Sequence, residues 1–520
     1  MTDPIHQQTL YDLLRRSAVR YPDKPALICG HRRFDYRQWL SQVDNTAQAL
    51  LNSGLVPGQT VAIYAKNSGL YATVIFAAAK AGIILVPINF MLTADETQYI
   101  LQHSNVRGVI AGIEFQNRLE QAIELLSPDQ ILAIGHRKWL LDEDSQKNWH
   151  SLLSTILSEA ECSPSSAMAN NHDVAQILYT SGTESRPKGV MLTHQNLITE
   201  YVSVIIDGGL EPDDIALHAL PFYHSAQQHV FLGPYVYLGA THVVISVPKP
   251  EIILPLIQEH HVTQFFAPPT VWISLLRDPN FDKFDLSSLT KGHYGAAIMP
   301  REILLELQRR LPNTRFWNFY GQTEVAPLAT VLKPEDQLRK LGSAGKASLN
   351  VETVLLDEEN RPVSMGQIGE ICHRSPHIMP GYWHDPEKTA EAFRGDWFHS
   401  GDLGIFDEEG YLTVVDRKKD MIKTGGENVS SREIEEYLYQ LDGISEVAVI
   451  GVPDPYWIER IVALVVPKPG FDPSPDYILE RCKQNLAPFK VPKEILMAPS
   501  LPKNPSGKIL KRDLRKQLQK

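Results

Sequence analysis

The chain has 520 residues, too many for one hydrophobic core, so two or more domains are expected. Hydrophobic residues make up 43% and charged residues 21%, an ordinary globular balance, and the formal net charge of -11 argues against a broad nucleic-acid surface, which wants a basic excess. The four cysteines, Cys29, Cys162, Cys372 and Cys482, form no C-x-x-C pair; this speaks against a zinc site or disulfide framework and fits free thiols in a reducing cytoplasm.

The first residues, Met1 to His6, lack the basic-then-apolar pattern of a signal peptide, so a cytoplasmic location is expected. Residues 10–20 read as an amphipathic helix, and 26–29 and 60–64 as strands. Residues 69–81 and 83–87 are the most apolar stretch. Lys80, Gly82 and Pro87 punctuate it, so a buried helix and a core strand are expected rather than a membrane span. Residues 99–104 read as helix and 109–111 as strand. The rhythm resumes with a strand at 240–247, a helix at 251–260, a strand at 264–267 and a helix at 300–311. Alternating strands and helices imply parallel sheets covered by helices, with ligands beyond the carboxyl ends of the strands. Thr180, Tyr294 and Tyr320 all follow strand-like runs and can converge on one crevice.

From 341 to 415 the pattern changes to short strands (351–356, 370–373, 404–406, 412–414) between Gly, Pro and acidic turns, with Asp407-Glu408-Glu409-Gly410 as a hairpin signal. A β-rich subdomain is expected. After Asp416, a helix at 431–440, strands at 447–452 and 461–466, and a helix at 476–485 suffice for a separate α+β domain. The basic tail, 503–520, reads mostly as a solvated helix.

Four segments carry chemistry. The apolar run 175–179 feeds Thr180-Ser181-Gly182-Thr183-Glu184-Ser185-Arg186-Pro187-Lys188-Gly189, whose hydroxyls, backbone N–H groups and one lysine can hold a polyphosphate. The Walker A spacing is absent, and a plain surface turn is the alternative. Asn318-Phe319-Tyr320-Gly321-Gln322-Thr323-Glu324 offers an aromatic ring for a planar base and a carboxylate for Mg²⁺; the alternative is a strand end leading into a capped helix. In Ser400-Gly401-Asp402-Leu403-Gly404 a carboxylate in a Gly-flanked turn can accept from ribose hydroxyls, or simply from its own backbone. Asp416 and Arg417 follow, as hinge and ribose or phosphate contact, or as surface charges in a linker. Lys508, after Pro505-Ser506-Gly507, sits on a short loop that a rotating domain can deliver into a cleft; alone it is a solvated charge.

Together, in order and spacing, these segments resemble the adenylate-forming superfamily of acyl-CoA synthetases, adenylation domains and firefly-type luciferases. The resemblance covers nearly the whole chain. It implies an α/β fold: a large N-terminal domain of layered αβ sheets (1–415, with the β-rich subdomain at about 341–415) and a small mobile α+β C-terminal domain (416–520), hinged near Asp416. It implies that Thr180, Ser181, Gly182, Thr183 and Lys188 hold the β- and γ-phosphates of ATP. Gly295, Ala296 and Ala297 with Asn318, Phe319 and Tyr320 would form the adenine pocket. Thr323 and Glu324 would contact the α-phosphate and Mg²⁺, and Asp402 and Arg417 the ribose. Lys508 would serve adenylation, and Gly425, in Gly425-Gly426-Glu427-Asn428, would leave room for the pantetheine arm of coenzyme A after the domain turns. The implied reaction makes an acyl-adenylate and pyrophosphate, then transfers the acyl group.

The acid pocket of such enzymes follows Pro221-Phe222-Tyr223-His224. Amino-acid-activating relatives carry an aspartate just beyond, whereas Ser225-Ala226-Gln227-Gln228 stands here, so the small-molecule acid is expected to lack an α-amine. His224 and His229 can face the acyl group or be packed histidines. Coenzyme A is the expected acceptor. Ile458, where many coenzyme A ligases have glycine, keeps open an amide ligase of the coronafacate ligase type that uses an amino acid's amine; packing of Ile458 inside the C-terminal domain is the plainer alternative. A protein that binds nucleotide or acyl ligand without turnover is the reading from another class; filled catalytic positions speak against it.

Overall fold

The computed structural model describes residues 6–141, 149–152, 154, 169–180, 186–295, 297, 299–418, 420–424, 427–503 and 509–518. The fold is α/β, with a large N-terminal part and a small C-terminal part. Among the described residues four sheets carry it.

The first sheet has seven strands, in the order His150–Ser151, Lys138–Leu140, Gly108–Ala111, Thr60–Tyr64, Ile84–Pro87, Val174–Thr180 and Lys188–Thr193. The second has nine: Lys346–Ala347, Leu328–Leu332, Arg315–Gly321, Lys291–Gly295, Gln264–Phe266, Ile215–His218, Thr241–Val244, Pro25–Cys29 and Arg32–Asp35. Most pairings inside both are parallel, as expected for strands joined by helical crossovers. Helix Gly69–Ala81 is buried on nearly every side. That is why its apolar residues show no amphipathic stripe: a helix that is hydrophobic all round belongs in a core. Ser68 caps it by accepting from the Tyr71 N–H, and Gly82 ends it in the left-handed conformation.

The third sheet is the expected β-rich unit. Strands Glu352–Leu356, Gly369–Arg374, Trp397–Phe406 and Phe393–Arg394 are joined by Leu412–Arg417, which pairs with Trp397–Phe406 through the turn at 407–410. The fourth sheet (Glu427–Val429, Ile422–Thr424, Ile458–Pro467, Ile444–Asp454, with Glu494–Met497 beside Ile458–Pro467) and helices Ser431–Tyr439, Pro475–Asn485 and Lys511–Leu518 form the C-terminal part. No described helix is long and apolar enough to cross a membrane.

Three expectations need correction. The helix read at 99–104 is the end of Ala94–His103, which starts earlier because Thr93 and Glu96 form a capping box. A strand, Arg32–Asp35, and a long helix, Tyr36–Asn52, were not anticipated; Asp35 caps that helix reciprocally with Gln38. The strand read at 404–406 is the end of ten-residue Trp397–Phe406.

Several histidines lie inside this core. His218 Nε2 is 3.0 Å from His242 Nδ1, and Gln227 Nε2 is 2.8 Å from His218 Nδ1. Burial disfavours imidazolium; it pushes His218, His229 and His293 down to about 3, and holds His242 well below the usual histidine range. Unfolded histidine titrates near ~6.5, so below that pH the unfolded chain takes up protons that the folded chain refuses. Stability is then lost as pH falls, at up to ~1.4 kcal/mol per pH unit for each such group. Urea unfolding followed from pH 7.5 to 5.5 should show midpoints that drop mainly below pH 6.5. A midpoint constant over that range would mean that these imidazoles are not held neutral.

Candidate active site

Thr180 and Lys188 are paired across the antiparallel strands Val174–Thr180 and Lys188–Thr193, so they flank the mouth of the expected phosphate loop. Lys188 Nζ donates to Tyr382 Oη at 3.0 Å and sits 4.2 Å from the ring centre. Tyr382 Oη in turn donates to Glu324 Oε1 at 3.0 Å. Burial, reinforced by the Glu324 carboxylate, pushes the Tyr382 pKa up, so the phenol keeps its proton. Glu324 is 9% exposed, in a single 3₁₀ turn, Thr323–Val325, just after strand Arg315–Gly321. An ammonium, a phenol and a carboxylate thus stand in line.

Tyr382 is placed by backbone. Trp383 N donates to Gly189 O at 2.7 Å, Met191 N to Gly381 O at 3.2 Å and Met379 N to Glu324 O at 2.9 Å. Asn196 Nδ2 donates to the carbonyls of Pro376 and Ile378, and His377 Nδ1 lies 2.7 Å from Val325 O. Gly189 suits this close approach: a β-carbon there would fall 2.8 Å from Ile177 Cγ2 and 3.3 Å from Trp383 Cβ. Tyr382 was missed in the sequence because Pro380-Gly381 reads as a turn; its one signal is an adjacent aromatic pair.

Thr323 Oγ1 is 3.0 Å from Ser225 Oγ, which brings the segment after His224 to the Thr323–Glu324 turn. His224 is half-buried, and its Nδ1 accepts from Ala226 N at 3.3 Å. A stretch of π-helix, Ala226–Leu232, follows. His229 belongs to the packed interior: its ring nitrogens lie 2.9 Å from Tyr201 Oη and 3.1 Å from Gln176 Oε1. Of the two alternatives for His229, the packed histidine is the one its contacts match.

Tyr320 Oη donates to Asp402 Oδ2 at 2.8 Å, and Arg417 Nε lies 3.4 Å from Asp402 Oδ1. Asp402 is not in a turn, as expected, but within strand Trp397–Phe406, directly opposite Arg417. Asn318 and Tyr320 share one face of their strand, because side chains alternate. Phe319 faces the other way, with its ring 5.1 Å from that of His293 and 6.0 Å from that of Phe231. It can therefore offer a base its backbone but not its ring. Asn318 Nδ2 donates to Ser343 O at 2.9 Å. Gly295 pairs with Phe319, and a β-carbon at 295 would lie 2.5 Å from the Phe319 carbonyl oxygen, so only glycine fits. Ala297 is exposed in a bend just beyond.

Asp416 is buried, not a surface charge. Its Oδ2 accepts from Ser431 N at 2.8 Å and Ser431 Oγ at 2.9 Å at the start of helix Ser431–Tyr439. Ile458 pairs with Thr424, is 63% exposed and has φ +71. The expectation that it packs inside the domain is corrected. Ser181, Gly182, Thr183, Ala296, Gly425 and Lys508 lie outside the described residues.

A lysine beside a phosphate-type hairpin, a carboxylate joined to it through one phenol and a Tyr–Asp–Arg cluster between the nine-stranded and β-rich sheets can together hold a nucleoside polyphosphate. Residues 14–383 match the model of the AMP-binding enzymes, and 433–508 that of the AMP-binding enzyme C-terminal domain. The chain belongs to this family of adenylate-forming enzymes. It is 34% identical over 501 residues to a feruloyl-CoA synthase of Amycolatopsis sp, covering 96% of this chain and 97% of that one. Its fold is similar to that of the anthranilate CoA ligase AuaEII in complex with anthranoyl-AMP (TM-score 0.90, 27% identity, 98% and 97% covered). It is also similar to the amide bond synthetase McbA from Marinactinospora thermotolerans (TM-score 0.85, 25% identity, 98% and 99% covered). The protein is an ATP-dependent ligase that works through an acyl-adenylate.

Replacing Tyr382 by Phe removes the hydroxyl that joins Lys188 to Glu324. Hydrogen bonds to charged groups contribute about 1.5–3 kcal/mol, so acid-dependent pyrophosphate release should fall roughly tenfold or more. Initial rates across an ATP series would measure this; a wild-type rate would mean that backbone alone positions the pair.

Proposed function

We propose that the protein activates a carboxylic acid without an α-amine and passes the acyl group to coenzyme A. The observation that carries the adenylation site is the Lys188–Tyr382–Glu324 line at the mouth of the Thr180–Lys188 hairpin. Thr180, Ser181, Gly182, Thr183 and Lys188 hold the β- and γ-phosphates of ATP. Tyr320 stacks on adenine beside the backbone of Gly295, Ala296 and Ala297, and Asp402 and Arg417 take the ribose. A single buried carboxylate near a lysine fits Mg²⁺, which is usually held by one or two carboxylates plus phosphate oxygens. Glu324 would hold the ion, which when bound supplies Lewis-acid charge.

An oxygen of the acid's carboxylate attacks the α-phosphorus; the bond from that phosphorus to the α,β-bridging oxygen breaks, and pyrophosphate departs. Lys188, Thr323 and Lys508 offset the charge that builds on the phosphates. The acceptor then attacks the acyl carbon, and AMP leaves. His224, beside Ser225 and Thr323, lies at the acid end. Rotation of residues 416–520 about Asp416 would withdraw Lys508 and bring in Gly425, so that one crevice serves both half-reactions. The buried thiols Cys372 and Cys482 suit a reducing, cytoplasmic setting.

Coenzyme A as acceptor is supported by the names of the feruloyl-CoA and anthranilate CoA relatives. One observation favours a second reading, an amino acid's amine as acceptor. Ile458 puts an exposed β-branched side chain beside Thr424, next in sequence to the Gly425-Gly426 segment. There it would narrow a pantetheine path.

The deciding experiment presents a panel of fatty, aryl and cyclic acids with ATP and either coenzyme A or mixed amino acids, and identifies products by mass. A thioester supports the first reading; an N-acyl amino acid without thioester supports the second, in which case Ile458→Gly should raise thioester formation at least severalfold. No acid-dependent pyrophosphate with any acid would defeat both. Lys508→Ala is expected to cut adenylation by more than a hundredfold while leaving transfer from supplied acyl-adenylate within a few-fold of wild type. Equal loss of both half-reactions would contradict the two-conformation scheme.

A further inference from the structure

Helix His194–Asp207 follows strand Lys188–Thr193 directly. Asn196, Glu200, Ser203 and Asp207 recur along it at spacings of three and four, so they share one face. Each bonds a different segment. Asn196 Nδ2 holds the carbonyls of Pro376 and Ile378, just before Tyr382. Ser203 Oγ accepts from Asn350 Nδ2 at 3.0 Å, and Asp207 Oδ2 from Leu349 N at 2.8 Å. Glu200 Oε1 accepts from Leu328 N at 3.2 Å. That N–H lies where strand pairing breaks. The ladder between Arg315–Gly321 and Leu328–Leu332 shifts register after Tyr320, and Gln322 N donates to Pro327 O at 2.9 Å to close the turn that carries Thr323 and Glu324.

Glu200 is fully buried, and its Oε2 has no protein partner among the described residues. Burial pushes its pKa well above the usual carboxyl range, against the lowering effect of the Leu328 N–H, so the side chain is held as the neutral acid. A buried oxygen without a partner costs stability, and leucine or methionine would fill the space without that cost. What the acid supplies and an apolar residue cannot is an acceptor for Leu328 N–H.

We propose that Glu200 is a positioning residue for adenylation: by holding Leu328 N–H it fixes the end of the turn that presents Thr323 and Glu324. The proposal rests on the reading of those two residues as the α-phosphate and Mg²⁺ contacts. The other side of the turn is held by Met379 N, which donates to Glu324 O, and by His377 Nδ1, 2.7 Å from Val325 O. Asn196 ties that segment to the same helix. One helix therefore sets the turn from both sides, in continuity with the strand that begins at Lys188. Without the Glu200 bond the turn keeps its contacts to 376–383 but loses its anchor at Leu328, and the Glu324 carboxylate is free to shift relative to Lys188.

The test compares Glu200→Gln, which keeps a carbonyl acceptor, with Glu200→Leu, which removes it, in the full-length protein. Hydrogen exchange of peptides spanning 322–329, read by mass, reports on the turn without turnover. Pyrophosphate release across Mg²⁺ and acid series, and transfer from supplied acyl-adenylate, report on the site. In Glu200→Leu, exchange at 322–329 should rise about fivefold or more with little change elsewhere. Its kcat for pyrophosphate release should fall about tenfold, and the Mg²⁺ needed for half-maximal rate should rise severalfold. The KM for the acid and the transfer rate should stay within about twofold, and Glu200→Gln should match the wild type within about twofold in every readout. Should Glu200→Leu fail to fold, Glu200→Asp, one methylene short of Leu328 N, carries the same expectation. An unchanged rate and Mg²⁺ dependence in a variant without the bond would overturn the proposal. So would equal loss of both half-reactions, or exchange raised throughout the chain, since either marks a general structural role. If the wild type releases no acid-dependent pyrophosphate, the adenylation reading fails on its own, and exchange at 322–329 still shows whether Glu200 holds the turn.

Discussion

One phenol ties the architecture together. Lys188 begins an edge strand of the seven-stranded sheet, Glu324 follows a strand of the nine-stranded sheet, and Tyr382 lies on the connection inside the β-rich unit. The seven- and nine-stranded sheets share one hydrophobic core, and residues 376–383 add hydrogen bonds that fix the β-rich unit to both. Because Tyr382 and Glu324 are buried and Lys188 is half-buried, the hydrogen bonds between them operate at a lower dielectric than water. They are stronger there, and losing one leaves a buried polar group exposed to its full desolvation cost. The two ends of the proposed ATP site are thus set by the same contact that sets the sheets.

A second chain of contacts runs from this site to the C-terminal part. Tyr320 reaches Asp402, Asp402 reaches Arg417, and the adjacent Asp416 clamps the start of helix Ser431–Tyr439. Ser431 Oγ also accepts from Lys511 Nζ at 2.7 Å, and Lys511 pairs with Glu435 at 2.8 Å. Lys511 lies three residues beyond Lys508. A change in backbone angle at Asp416 would therefore carry helix Ser431–Tyr439 and the C-terminal helix together, since the clamp lies on the C-terminal side of the pivot. The proposed rotation of residues 416–520 would then be rigid rather than a local melting, because the Asp416 carboxylate holds the start of helix Ser431–Tyr439.

Much of this was legible in the residues. The buried helix Gly69–Ala81, the hairpin turn at 407–410 and the segments around Thr180, Tyr320 and Asp402 follow from periodicity, turn chemistry and the superfamily resemblance. The rest depended on finer local cues or on tertiary contact. Helix Tyr36–Asn52 carries buried Trp39, Val43, Ala47 and Leu50 at helical spacing, a face that Asp35 and Gln38 announce. Strand alternation alone separates Phe319 from Asn318 and Tyr320. Tyr382 could not be found that way: its role exists only where three sheets meet, and the Pro- and Gly-rich stretch that carries it has no period to read. Asp416 read either as a hinge or as a linker charge, because nothing in its neighbours reveals that Ser431 will bond to it.

Ile458 poses the sharpest physical question in the C-terminal part. A β-branched residue in the left-handed region is strained by about 1–2 kcal/mol relative to glycine. Burial could offset that, but this side chain is mostly in solvent. The strain is imposed by the surrounding backbone. The strands Ile444–Asp454 and Ile458–Pro467 form a long antiparallel ladder that closes with Asp454 opposite Ile458, and Asp454 Oδ1 accepts from Tyr456 N and Trp457 N across the turn. Glycine would meet the same geometry without cost, so stability gives no reason for isoleucine here. An exposed, strained, apolar side chain opposite Thr424 is the feature on which the proposed amine-acceptor reading rests.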